Sequence, residues 1–250
     1  MDTLAQLHLA SQYLATAGKS FLKERSDDSH TNLGFFPEDN TLRTWPLNDK
    51  NAYLSLRYDD FSLEWIEITK RKRIYINGKS HKEITAWVAT TAEEFDFSKS
   101  YQYHLHYELP YEIDDNSVFN CKSNKELEKL AKLTELAQNA MDTFLKKEGL
   151  TSTIRVWPHH FDIGAFAELT DNSGKSIGLG MAIPDSVMDK HYFYISGYKG
   201  HDSLETDKFS ELSHGEWKNN GFKGAVLDAV ATDEKTATNF FQEAFACFKT

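Results

Sequence analysis

The sequence predicts an α+β protein of two related halves, each an antiparallel sheet packed with helices, in the order helix, sheet, helix, sheet, helix. Three observations carry that expectation. Apolar residues recur at steps of three and four near both ends and in the middle of the chain, which is the period of a helix. The stretches between them alternate apolar with polar residues, which is the period of a strand. One hexapeptide recurs, as TLRTWP at residues 41–46 and TIRVWP at 153–158, 112 positions apart. The whole chain, 1–250, therefore reads as one compact unit containing an internal repeat of 1–148 and 149–250.

The elements follow in order. Leu4, Leu7, Ser11, Leu14, Ala17 and Phe21 form one stripe of a helix from about residue 3 to 24. In FSLEWIEITKRKRIYINGKSHKEI, residues 61–84, two alternating segments flank Asn77-Gly78, a hairpin signal because both residues tolerate positive φ. YQYHLHYELPYEI, from Tyr101, reads as a strand with Tyr101, Tyr103, Leu105, Tyr107 and Leu109 on one face and Gln102, His104, His106 and Glu108 on a wet one. Ser123 and Glu126 then give a capping-box pattern, Leu127, Leu130, Ala137, Met141 and Phe144 a stripe, and Gly149 a stop. SIGLGMAI (176–183) and HYFYISGY (191–198) are strands of the second sheet, and Ala237, Phe240, Phe241, Ala244, Phe245 and Phe248 mark a last helix from about Asp233. All three helices read as core-facing.

Composition narrows the function classes. With 28 Lys plus Arg against 38 Asp plus Glu, the formal charge of −10 argues against a nucleic-acid binder, whose affinity comes from clustered positive charge. The basic run Lys70-Arg71-Lys72-Arg73 is short and reads as a solvated strand face. No segment approaches the ~18 apolar residues of a membrane span, and the opening residues lack a signal peptide's basic and apolar regions, so a cytoplasmic location is expected. Cys121 and Cys247 have no metal-ligand spacing and fit a reducing compartment, Cys247 as a small core residue among phenylalanines. No cofactor is implied: Ser173-Gly174-Lys175-Ser176 lacks the first glycine of a phosphate loop, and Gly178-x-Gly180 lacks the third of a dinucleotide fingerprint.

The stretch TIRVWPHHFDIGAF, residues 153–166, carries the candidate site. Ile154 and Val156 put the apolar face on even positions, whereas Phe161, Ile163, Ala165, Ala167 and Leu169 put it on odd ones. The phase flips at Trp157-Pro158-His159-His160, which predicts a bulge or bend that re-aims side chains. His160 and Asp162, two apart, share a strand face more naturally than the adjacent histidines do. A metal version would need His160 and Asp162 joined by His30 and by His214 or Glu216, since zinc takes three or four such ligands. In SIGLGMAI, Gly178, Gly180 and Ala182 make a smooth face that lets a helix, or else a ligand, come close.

SDDSHTNLGF (26–35), WPHHFDIG (157–164), SIGLGMAIPD (176–185), HYFYISGY (191–198), GEW (215–217) and GAVL (224–227) together resemble a family of uncharacterised bacterial proteins with a Trp-Pro-His-His-Phe-Asp signature. That family has no established activity, so the resemblance implies importance for these residues and assigns them no role. The expected function is small-molecule binding in an aromatic-lined pocket near Trp157–Asp162, with His159, His160, Asp162, His30, Trp157 and His214 as ligand-binding candidates. The alternative is a hydrolase or isomerase in which His160 and Asp162 are the catalytic pair, metal-assisted or not. A third reading is structural: His159 and Asp162 hydrogen-bond backbone at the bulge and hold the two halves in register, and function lies in protein contacts. Neither a nucleic acid nor a membrane is an expected partner.

Overall fold

The structure, a computed structural model, describes residues 1–249. It is α+β, with four helices and two antiparallel sheets among the described residues. Contacts divide the chain into two compact units: residues 1–132 with 156–159, and residues 133–155 with those from 160 on.

The first unit opens with α1 (Thr3–Phe21), capped by Asp2, whose side chain accepts from the Ala5 amide. A five-stranded meander follows: β1 (Gly34–Phe36), β2 (Thr41–Arg43), β3 (Tyr53–Arg57), β4 (Ser62–Glu67) and β5 (Lys70–Tyr75), paired in chain order. α2 (His81–Glu94) comes next, then a long connection without regular structure into α3 (Asn124–Glu148). Leu54, Leu56, Leu63 and Trp65 alternate along β3 and β4 into the core, where the Trp65 indole donates to the Val88 carbonyl of α2.

Two expectations fail here for identifiable reasons. Gly78 does turn, at φ +80°, but the chain enters α2 and no second strand follows. Ser80 caps that helix in a reciprocal box with Glu83, and the hairpin lies earlier, at Ile68-Thr69 between β4 and β5. Residues 101–113 are not a strand. Their burial alternates as expected, but they lie as an extended strap on α1 and join no ladder. Tyrosine hydroxyls replace the ladder: Tyr101 bonds Thr16 (2.7 Å), Tyr107 donates to Gln12 (2.7 Å) and Tyr111 meets His8 (3.4 Å). α1 is consequently buried on its polar face as well as its apolar one, with His8, Ser11, Gln12 and Thr16 all enclosed. It is not the one-sided core helix its stripe suggested.

After α3 come β6 (Arg155–Trp157), most of which falls in the first unit, and, in the second unit, β7 (Asp162–Glu168), β8 (Lys175–Ala182) and β9 (Tyr192–Lys199), in a second meander. The sheet order is β11-β12-β9-β8-β7-β6, where β11 is Glu216–Lys218 and β12 is Gly224–Asp228, and a short β10 (Asp202–Ser203) pairs with β9. α4 (Glu234–Phe248), capped by Asp233, packs Phe241 against Phe193 and Phe144, so the odd-numbered residues of β9 form the core face.

The phase flip at Trp157–His160 is a turn. Residues 158–161 reverse the chain between β6 and β7, so no bulge is needed, and Phe161 closes the turn at φ +58°. The first unit makes the same turn at residues 58–61 between β3 and β4, closed by Phe61 at φ +49°. Positive φ is costly for an aromatic residue, and in both units the ring is buried, which supplies the compensating contact. Phe61 and Phe161 stand a hundred positions apart, so Asp59 and Asp60 hold the places of His159 and His160.

Candidate functional site

The Trp-Pro corner is held from beneath by two side chains of α1. His8 Nε2 lies 2.7 Å from the Pro158 carbonyl oxygen, and Gln12 Nε2 donates to the same oxygen at 2.8 Å. A carbonyl only accepts, so His8 carries its proton on Nε2 and its Nδ1 is left to accept from Tyr111. Gln12 is itself fixed by the Tyr107 hydroxyl on its Oε1. His159 stands edge-on to Trp157, ring centroids 6.1 Å apart, and 5.7 Å from Tyr107. Within the first unit, then, Trp157, Pro158 and His159 belong to a closed hydrogen-bonded and aromatic assembly, with His159 half-buried.

His160 and Asp162 begin the second unit, where the surroundings differ. Asp162 heads β7 on the sheet face turned away from α4. Its Oδ2 accepts a hydrogen bond from the Tyr194 hydroxyl at 2.7 Å. The strand register explains how a β9 residue reaches a β7 carboxylate: Gly164 lies opposite Gly180, and Gly180 opposite Tyr194. A Cβ on Gly180 would come within 2.7 Å of the Tyr194 oxygen, and one on Gly164 within 2.9 Å. The glycine face expected to receive a helix or a ligand therefore receives the Tyr194 ring, laid across two strands.

A second pair sits beside the first. Tyr192 donates to Asp185 Oδ2 at 2.8 Å, and the Tyr192 and Tyr194 rings are 6.4 Å apart. Further along β9, Ser196 donates to the Tyr198 hydroxyl at 2.9 Å. These residues share the even-numbered face of β9 with Asp162, and Tyr194, Tyr198 and Asp162 are only half-buried.

Electrostatics sets Asp162 apart. Burial pushes its carboxyl above the ordinary aspartate range, and the Asp185 charge pushes the same way. The Tyr194 hydrogen bond and the positive charge His160 can carry oppose that rise without cancelling it. Tyr194 is raised well above the usual phenol value, first by burial and then by the Asp162 charge, so it stays a neutral donor. The arrangement offers a carboxyl that exchanges its proton more readily toward neutral pH, framed by tyrosine hydroxyls and ring faces.

The remaining candidates do not join it. His30 is buried in its own loop, its Nδ1 accepting the Arg25 amide at 3.3 Å. His214 is exposed, and its charge acts on Asp233, the cap of α4. His106 faces Asp28 at 3.2 Å on the outer side of the strap. Among the described residues no three His, Cys, Asp or Glu side chains form a group that could hold a metal ion, so His160 and Asp162 gain no third ligand from His30, His214 or Glu216. A surface groove of about 350 Å³ in the first unit is lined by Phe21, Leu47–Lys50 and Asp96–Lys99, and includes nothing from residues 157–162.

Tyr192, Tyr194 and Asp185 were legible only as strand residues and a loop acid, and His8 and Gln12 as the polar side of a helix. Strand parity was the available signal for the first group, because Tyr192 and Tyr194 share the parity opposite to the β9 core residues Phe193 and Ile195. Comparison of the chain with protein-family models, with curated proteins and with solved structures returned no match.

Proposed function

We propose that the chain binds a small molecule on the tyrosine-bearing face of the second sheet, with Asp162 as its polar anchor. The observation that carries this reading is the Asp162–Tyr194 pair: a carboxyl kept above its ordinary pKa, on a half-buried face opposite the helices, with its hydrogen-bonding partner imposed by two glycines. Holding a charge-bearing group in such a place costs stability, and that is the usual mark of a functional group. Half-buried Tyr198 adds aromatic surface and a hydroxyl in the combination common in ligand sites, and buried Tyr192 backs it through its bond to Asp185. The net charge of −10 supports a partner other than nucleic acid, and among the described residues no helix is long and apolar enough to cross a membrane.

A metabolite thermal-shift screen tests the reading. A ligand at ~100 times its dissociation constant adds ~2.7 kcal/mol to stability. The shift should vanish in Asp162→Asn and shrink in Tyr194→Phe while both variants stay folded; a shift equal in all three proteins rejects the site.

The raised carboxyl beside His160 also supports a second reading, general acid/base catalysis by a hydrolase or isomerase. Under it, turnover of a screened compound disappears in both His160→Ala and Asp162→Asn.

A further inference from the structure

The first unit has a surface that the Asp162 reading leaves unused, and it coincides with the basic run Lys70–Arg73. That run is β5, the last strand of its sheet, and among the described residues β5 pairs only with β4. Its free edge presents the N–H and C=O groups of alternate residues over a strand of six residues, roughly 20 Å long. We propose that this edge docks an extended acidic segment of another protein by strand addition, with apolar residues at both ends of the segment.

Charge selects the occupant. Arg73 is neutralised by Glu64 and Asp60, and Lys72 by Glu94. Arg71 is exposed and makes no ion pair among the described residues. Lys70 bonds only a backbone carbonyl, that of Glu94, and keeps its charge over the Phe95 ring at 4.8 Å. Among the described residues Arg71 thus stands without an ion pair on one face of the open strand edge, and Lys70, whose charge also acts on Asp96, on the other, in a chain whose net charge is −10. They repel the same edge of a second copy and attract an acidic strand. Exposed apolar side chains flank them: Ile68 (88 % exposed) in the turn before β5, Tyr75 (59 %) at its far end, and Val118 (56 %), bridged to Ser80 just beyond. Main-chain bonds would supply affinity and the flanking side chains register.

The test uses the full chain and a blocked octapeptide of alternating glutamate and valine with a leucine at each end. Amide exchange followed by NMR should slow in β5 at saturating peptide, binding should weaken with added salt, and K70E/R71E should lower affinity by about tenfold or more. The same peptide N-methylated at successive residues, so that neither edge can donate, should not bind. The proposal is overturned by absence of saturable binding up to millimolar peptide, by exchange protection confined to residues outside β5, by binding that survives N-methylation of both edges, or by an equal response to a control octapeptide with lysine in place of each glutamate. Concentration-dependent self-protection of β5 without peptide, or preference for a single-stranded oligonucleotide, overturns it as well.

Discussion

The Tyr194 hydroxyl reaches Asp162 Oδ2, 2.7 Å away, only because Gly164 and Gly180 leave room for its ring. Gly180→Ala places a Cβ 2.5 Å from the Ile163 carbonyl and 2.7 Å from the Tyr194 oxygen, so the ring or the strand must shift. An overpacked site of that kind costs about 1–3 kcal/mol, and the displaced ring releases Asp162. Gly178→Ala meets nothing closer than 3.5 Å and should change stability by less than about 0.5 kcal/mol. Denaturant unfolding of the two variants checks the contrast, and equal costs would contradict it.

Asp162 gives a pH signature with a definite sign. Its carboxyl is raised in the folded chain, so over a window above ~3.9 the folded state holds a proton the unfolded state has lost. The stability it contributes is present below that value and is lost as pH rises through the folded pKa. Asp162→Asn should therefore raise the melting temperature near neutral pH and lose that advantage below about pH 3.5. A melting temperature lowered at neutral pH would make the carboxylate structural.

His81 titrates in the opposite sense. Burial lowers its pKa against the pull of Asp115 and Asp114, and its Nδ1 lies 2.7 Å from the Tyr13 hydroxyl, as a neutral ring accepting a proton would. Its contribution is complete above ~6.5 and is lost as pH falls toward its folded value. His191, also lowered by burial, acts in the same direction. Unfolding free energies between pH 5 and 7.5 should fall less steeply in His81→Asn than in the wild type, with the residual slope belonging to His191.

The corner beneath Trp157 is a coupled unit. Gln12→Leu removes a donor from the Pro158 carbonyl and leaves the Tyr107 hydroxyl unpaired, at a cost of about 2–4 kcal/mol. His8→Phe removes the other donor on that oxygen. Because both act on one acceptor, a double-mutant cycle should show a coupling of about 0.5–1.5 kcal/mol, whereas additivity would mean that the two bonds are independent.

Periodicity made three of the four helices and the stretches of β4, β5, β7, β8 and β9 legible, because those signals are local, whereas β1 and β3 went unread. α1 was expected to about residue 24 and ends at Phe21; Gly149, at φ +65°, stops α3 as its position suggested. Period alone could not separate a strand from an extended strap: residues 101–113 alternate for the sake of α1, and what decides their state is the lack of a neighbouring edge. The same limit hid α2, whose capping pair Ser80 and Glu83 lay inside a segment that also alternates. At the site, parity points to His160 and Asp162 on one strand face, but His160 lies exposed in the turn and only Asp162 is on β7; the partner of Asp162 arrives from β9, across the one intervening strand β8, through the register of Gly164 and Gly180, which no local pattern encodes.

Chemical-shift mapping of the strongest stabiliser from the metabolite screen, on the assigned full chain, decides whether a ligand sits at Asp162. Binding at the Asp162 face should concentrate perturbations at Asp162, Asp185, Tyr192, Tyr194 and Tyr198, with the Asp162 carboxyl changing its raised pKa on binding. Shifts that leave those residues still and gather elsewhere, such as the groove at Leu47–Lys50, would contradict it.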